Sequence, residues 1–174
     1  MKTSNKTRVL FLFLDLLFFA VFVILDQITK SLAVTHLKDK PAFVLWENVF
    51  ELHYLENRGA AFGMLQNQKV LFVIIAVVML TAISYILIKL PRTAHYFALE
   101  FLLVLIASGA VGNMIDRVSL GYVVDFFYFK LIDFPIFNVA DIYVSVSCVL
   151  LAVLLVFFYK DQDFSFLSIQ KKKE

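Results

Sequence analysis

Cysteine is nearly missing from this 174-residue chain, and the lone Cys148 sits inside an apolar run. A disulfide framework and a thiolate metal site are thereby excluded, and Cys148 reads as a small buried hydrophobe. Histidine is almost as scarce: His36, His53 and His95 are scattered and form neither an HExxH nor an HxxxH spacing, so metallopeptidase chemistry has no motif to rest on. No GxSxG turn occurs, which leaves serine and cysteine nucleophiles without a scaffold. Charged residues make up only 17% of the chain and the net charge is +2, so nothing suggests a nucleic-acid partner.

What fills the chain instead is hydrocarbon. It is 61% hydrophobic with 20 Phe, and its mean hydropathy is +0.85, well above a soluble domain of this length. Four stretches approach the ~20 residues that cross a bilayer core. Val9 to Leu25 is broken only by Asp15, Val70 to Ile88 has no charge, Tyr96 to Ile115 carries only Glu100, and Val139 to Tyr159 carries only Asp141. The expectation is an all-α membrane protein, a single integral membrane domain over residues 1–174, with transmembrane helices at about 9–30, 69–89, 95–115 and 138–160. The first span could instead be a secretory signal peptide, given Lys2, Lys6 and Arg8 before it. Its apolar run is longer than a usual signal core and no small-x-small site follows.

Lys2, Lys6, Arg8, Lys89, Arg92, Lys160 and Lys171 to Lys173 fall on one side of a four-span chain, which makes that side, with both termini, cytoplasmic. The opposite side also carries basic residues, so the bias is one of density. There, residues of about 40–63 are rich in Val, Phe, Tyr and Trp, with turn residues at Glu47-Asn48 and Asn57-Arg58-Gly59. They predict a small extracytoplasmic β-sheet lying on the membrane surface, with Trp46 and Tyr54 at the headgroups. The lysine tail reads as a solvated terminus near anionic lipid.

This topology gathers Asp26, Lys30, Asn57, Arg58, Asn113, Asp116, Arg117, Asp125, Asn138 and Asp141 at one membrane face. Ionisable groups at such depth are candidates for function, and several also have a structural reading. Asp26 and Lys30, spaced i, i+4, suit an ion pair; Asp116 and Arg117 suit pairing with other residues or lipid phosphate; Asn138 and Asp141 suit a helix N-cap and its third-position acid. Asp125, in "VVDFFYF" (123 to 129), has no base within four residues. A buried acid becomes useful when a second shares its site, because two close carboxylates retain one proton between them. Such a pair can activate a water and protonate the carbonyl it attacks. Asp125 and Asp141 are candidates for it. The dipole of the fourth helix attracts negative charge at Asp141, which makes Asp125 the candidate proton carrier.

"DQITK" (26 to 30), "NRGAAFG" (57 to 63), "GAVGNMIDR" (109 to 117), "VVDF" (123 to 126) and "FNVAD" (137 to 141) resemble, in order and spacing, lipoprotein signal peptidase, also called signal peptidase II. Ser108 departs from the family's usual glycine, a small residue being kept for close helix packing. The resemblance implies a bacterial inner-membrane, multi-pass aspartic endopeptidase, active near the outer face without metal or organic cofactor. Its substrates would be diacylglyceryl-modified prolipoproteins, cut on the amino side of the lipidated cysteine. It further implies Asp125 and Asp141 as the catalytic pair, with Asp26, Asn57, Arg58, Gly59, Asn113, Arg117 and Asn138 binding substrate or a globomycin-type inhibitor. Membrane lipid surrounds such an enzyme, and a monomer is expected.

On the residues alone, Phe126, Phe127, Tyr128 and Phe129 can shield a scissile bond or serve packing only. Gly59, Ala60, Ala61 and Gly63 would admit a substrate chain closely. Two other classes stay open: a proton-coupled transporter using Asp15 and Glu100, which could equally reach toward Arg8 or Arg92, and a non-catalytic assembly or lipid-binding protein.

Overall fold

The computed structural model describes residues 5–59 and 64–167, so Ala60, Ala61 and Gly63 and the lysine tail lie outside the described residues. Four helices carry the chain: α1 (Asn5–Leu37), α2 (Lys69–Lys89), α3 (Phe97–Ser119) and α4 (Val139–Phe157). Each is long and apolar enough to cross a membrane, and a helix is the form in which a single segment satisfies its own backbone in lipid. The first helix runs to Leu37, past the expected end near residue 30. The polar turn from Asp26 to Lys30 stays helical because its side chains find partners inside the bundle.

α3 is the central helix. It packs against α1, α2 and α4 and buries more than half of its most apolar stretch, whereas the other three bury little of theirs. Val9, Leu16, Ile24, Val78, Val149 and Phe157 instead point outward, as expected where the surrounding solvent is as apolar as the side chains. Cys148 belongs with them. It is exposed on α4 and is not the buried hydrophobe expected, because an apolar run in lipid does not require burial in protein.

Small residues allow α3 its neighbours. A Cβ on Gly109 would lie 2.5 Å from the Ala140 carbonyl oxygen and one on Gly112 would strike the Asp26 carboxylate. Ser108 is fully buried and turns its hydroxyl onto the Val104 carbonyl at 2.8 Å, so the extra polar atom is satisfied within the helix.

At one end of the bundle lies an antiparallel sheet in the order β1 (Phe43–Trp46), β2 (Phe50–Asn57), β3 (Val123–Tyr128). The first two strands fall within the expected segment and turn at Glu47-Asn48, where Asn48 adopts φ 58°. The third comes from beyond α3 and pairs Asp125 with Leu55 and Val123 with Asn57. After β3 the chain folds back on itself: Phe126 and Phe127 donate their amides to the Phe137 carbonyl, and Phe137 N donates to Phe127 O. That return brings the start of α4 beside the middle of β3.

At the opposite end, Arg92 bridges Asp15 (2.8 Å) and Glu100, and donates to the Leu87 carbonyl at 2.8 Å. Arg8 caps the Ile88 carbonyl nearby. The residues 161–167 close this end, where Phe164 and Phe166 pack on a core that includes Leu90, Leu99 and Tyr159.

Candidate active site

The sheet and the first turn of α4 position two acids around one cavity of about 310 Å³, bordered by both Asp125 and Asp141. Asp125 is 1% exposed. Its Oδ2 accepts from Asn57 Nδ2 at 2.8 Å and its Oδ1 from Asn138 Nδ2 at 2.6 Å. Each carboxylate oxygen has a second lone pair, so both contacts leave room for a proton or a water on the cavity side. Burial, followed by the charge of Asp141, pushes the Asp125 carboxyl up to about 7, against the pull of Asn57, Asn138 and Lys30.

Asp141 occupies the third position of α4. Asn138 accepts the Asp141 amide through its side chain at 3.0 Å, and Asp141 Oδ2 accepts the Asn138 amide at 3.1 Å, a complete capping box. Caps of this kind contribute about 1 kcal/mol. The expected structural reading of this pair therefore holds, and it does not exhaust the pair. Asn138 Nδ2 also reaches Asp125, and Asp141 Oδ1 accepts from Asn113 Nδ2 at 2.8 Å. One asparagine thus touches both acids.

Behind this layer Lys30 is buried among Asp26 (3.0 Å), Asp116 (3.1 Å) and the Asn113 side-chain carbonyl (2.8 Å). The i, i+4 pair expected on a helix surface is there, but sunk in the bundle with a second acid. Gln27, which the sequence did not single out, bridges Asp26 and Asp116 from the same turn.

Of the candidates, Asn57, Gly59, Asn113, Arg117, Asp125 and Asp141 border the cavity. Arg117 holds the Gly59 carbonyl at 3.1 Å and stacks over the Phe72 ring at 4.5 Å. Asn138 and Asp26 are fully buried beneath. The Arg58 side chain is 57% exposed, 3.6 Å from Glu56 and over the Tyr122 ring. Phe126 packs with Ala33 and Val124, so packing accounts for the aromatic run. The aromatic walls of the cavity are Phe72, Phe134 and Phe137, which lie outside any polar motif and carry no signal that separates them from other lipid-facing phenylalanines. Among the described residues no group of three or more His, Cys, Asp or Glu is arranged to hold a metal ion.

The transporter reading needs titratable groups between Asp15 and the two cavity acids. Residues 16–25 of α1, 70–88 of α2, 101–115 of α3 and 142–157 of α4 contain no Asp, Glu, His, Lys or Arg, and Asp15 and Glu100 are held by Arg92 at the far end. Four apolar spans, a sheet at one end and two carboxylates bordering a cavity there are the features of a multi-pass membrane enzyme.

Comparison with known proteins narrows that class. The family model described as "Signal peptidase (SPase) II" matches residues 18–157. The chain is 47% identical over 139 residues to a lipoprotein signal peptidase of Caldanaerobacter subterraneus subsp. tengcongensis, covering 79% of this chain and 92% of that one. It is 42% identical over 145 residues to a lipoprotein signal peptidase of Clostridioides difficile, covering 83% and 96%. A solved bacterial membrane enzyme superposes with a TM-score of 0.73 at 32% identity, over 92% of this chain and 93% of that one. A second gives 0.71 at 33% identity, over 83% and 94%. The chain belongs to the lipoprotein signal peptidase (signal peptidase II) family of aspartic peptidases.

Proposed function

We propose that Asp125 and Asp141 form the catalytic pair, and that the enzyme cleaves diacylglyceryl-modified prolipoproteins on the amino side of the lipidated cysteine. The observation that carries this reading is that both acids border one cavity while Asn138 binds both of them. The raised Asp125 supplies the proton and Asp141 the base. Asp141 takes a proton from a water as its oxygen bonds to the scissile carbonyl carbon, and Asp125 protonates the carbonyl oxygen. The tetrahedral diol then collapses: the C–N bond breaks as the amine of the cysteine takes the proton from Asp141, and one diol hydroxyl returns its proton to Asp125 as the new carboxyl C=O forms.

Asn57, Gly59, Asn113 and Arg117 contact the peptide from the cavity wall. Arg58, exposed and next in sequence to the cavity-lining Asn57 and Gly59, meets phosphate or carbonyl groups, while Asn138 and Asp26 support the acids from below. The acyl chains lie among the helices. Globomycin-type inhibitors compete for the same cavity. Both termini face the cytoplasm, the sheet lies on the outer surface, and the monomer is the working unit with no metal or organic cofactor.

Cleavage of a diacylglyceryl-modified prolipoprotein by the purified enzyme in detergent tests the pair. Asp125→Asn and Asp141→Asn should each lower kcat by at least about a thousandfold, the loss of proton transfer and water activation together, and a chelator should leave the rate unchanged. Full cleavage by either variant overturns the pair.

A further inference from the structure

Three buried contacts on Lys30 converge on the two acids from behind. Lys30 is the i+4 partner of Asp26, a pairing that on an exposed helix is worth little. Here the Lys30 side chain is 3% exposed, and Asp26 and Asp116 are as deeply buried. An ammonium has three protons to donate, and Lys30 Nζ has three acceptors: Asp26 Oδ2, Asp116 Oδ2 and Asn113 Oδ1. Lys30, Asp26 and Asp116 lie behind the cavity, and of this group Asn113 alone borders it.

What the three acceptors hold in turn is specific. The other oxygen of Asp26 accepts the backbone amide of Ala140 at 3.0 Å, the residue just before Asp141. Asp116 Oδ2 accepts the backbone amide of Val124 at 3.1 Å, the residue just before Asp125. Asn113 Oδ1, occupied by Lys30 and by Asn138 Nδ2, leaves Asn113 Nδ2 to face Asp141. An amide side chain is symmetric enough to flip, and a cation on its oxygen removes that freedom. α1 supplies the lysine, α3 the second acid and the amide, and β3 and α4 the acids.

We propose that Lys30 is a positioning residue for the proteolytic reaction: one ammonium yokes the backbone segments bearing Asp125 and Asp141 and fixes the Asn113 amide against Asp141. The inference rests on the catalytic pair of the preceding section. Lys30 does not line the cavity, so its removal acts on turnover and not on substrate affinity. Its positive charge also lowers the Asp125 carboxyl, so removing that charge moves the pH profile of the pair toward alkaline values. The other charges facing the pair are Arg117 from α3 and, behind it, Asp26 from α1 and Asp116 from α3; all stay in place in the single variants.

The test compares wild type, Lys30→Met, Lys30→Arg and the neutral triple variant Asp26→Asn/Lys30→Met/Asp116→Asn, with Asp125→Asn as a reference. The readouts are kcat, KM and the pH dependence of cleavage of a diacylglyceryl-modified prolipoprotein, together with thermal unfolding in detergent. Lys30→Met is expected to lose about a hundredfold in kcat, the scale of a misplacement near 1 Å, with KM within about threefold and both limbs of the pH profile moved upward. Lys30→Arg keeps the charge but not the compact three-way geometry, so it should lose kcat with the limbs unmoved. The triple variant buries no lone acid and keeps an acceptor for Ala140 N and Val124 N, so it folds where Lys30→Met does not, and it should show the same loss of kcat. Wild-type kcat in a folded Lys30→Met, Lys30→Arg or triple variant overturns the proposal, as does a loss confined to KM. An inactive Asp125→Asn beside an active Lys30→Met rejects the yoke alone, whereas an active Asp125→Asn rejects the catalytic pair.

Discussion

Asp125 holds its proton to about pH 7 because burial and the neighbouring Asp141 penalise its charge more than Asn57, Asn138 and Lys30 favour it. Above that pH the pair would carry two charges and, in the proposed mechanism, lose its general acid. The expected outcome is a value of kcat/KM that falls as pH rises through about 7, measured by prolipoprotein cleavage between pH 5 and 9; a flat rate from 6 to 9 contradicts it. The same shift has a sign for stability. A carboxyl whose ordinary value is 3.8 and whose folded value is about 7 binds more protons folded than unfolded between those limits. Its contribution is therefore complete below about pH 4, declines as pH rises, and is lost above about 7. Asp125 was legible because a carboxylate among valines and phenylalanines, with no base in reach, demands an explanation. Its partners were not: Asn57 lies 68 residues away and Asn138 lies 13, and only the folded chain brings both amides to one carboxylate.

Helices were easier to read than strands. Long apolar runs mark α1 to α4 without reference to one another, and Glu47-Asn48 marks the hairpin of β1 and β2. β3 gives no alternation to recognise, because Val123, Val124, Asp125 and Phe126 are all buried: Val124 and Phe126 pack with Ala33 of α1, while Val123 and Asp125 border the cavity. The contact of α3 with α4 carries this arrangement, and Gly109 lies in it with no room for a side chain. A Cβ there would meet Ala140 O at 2.5 Å and Val144 Cγ2 at 2.8 Å, both on the first turns of the helix that bears Asp141. Gly109→Ala should cost about 1–3 kcal/mol of stability from overpacking and lower the cleavage rate by displacing Asp141. Gly121→Ala is the control. That glycine has φ 85° and open space around it, so the substitution should cost about 1–2 kcal/mol of backbone strain and leave turnover of the folded enzyme unchanged. Thermal unfolding in detergent beside cleavage rates separates the two; equal losses of turnover would show that α3–α4 spacing does not govern the site.

Across the whole molecule the two ends solve the same problem differently. Each sinks a cation between two acids, Lys30 between Asp26 and Asp116 and Arg92 between Asp15 and Glu100, yet only the first lies behind a polar cavity. The stretches between them contain no residue of formal charge, so the bundle separates the ends by a full apolar layer. The end bearing Arg92 is also the end of Arg8, Lys89 and Lys160, and the density of cations near span ends sets orientation. On the proposed orientation the Arg92 end is cytoplasmic and the sheet faces outward, where a prolipoprotein's lipidated cysteine would meet the acids. Single-cysteine labelling decides this. In a Cys148→Ser background, Glu47→Cys lies in the exposed β1–β2 turn and Thr93→Cys in the exposed connection after α2. A membrane-impermeant maleimide should label position 47 in intact spheroplasts and position 93 only after lysis. Labelling of position 93 in intact cells would invert the orientation and put the two acids on the side from which no exported lipoprotein is cleaved.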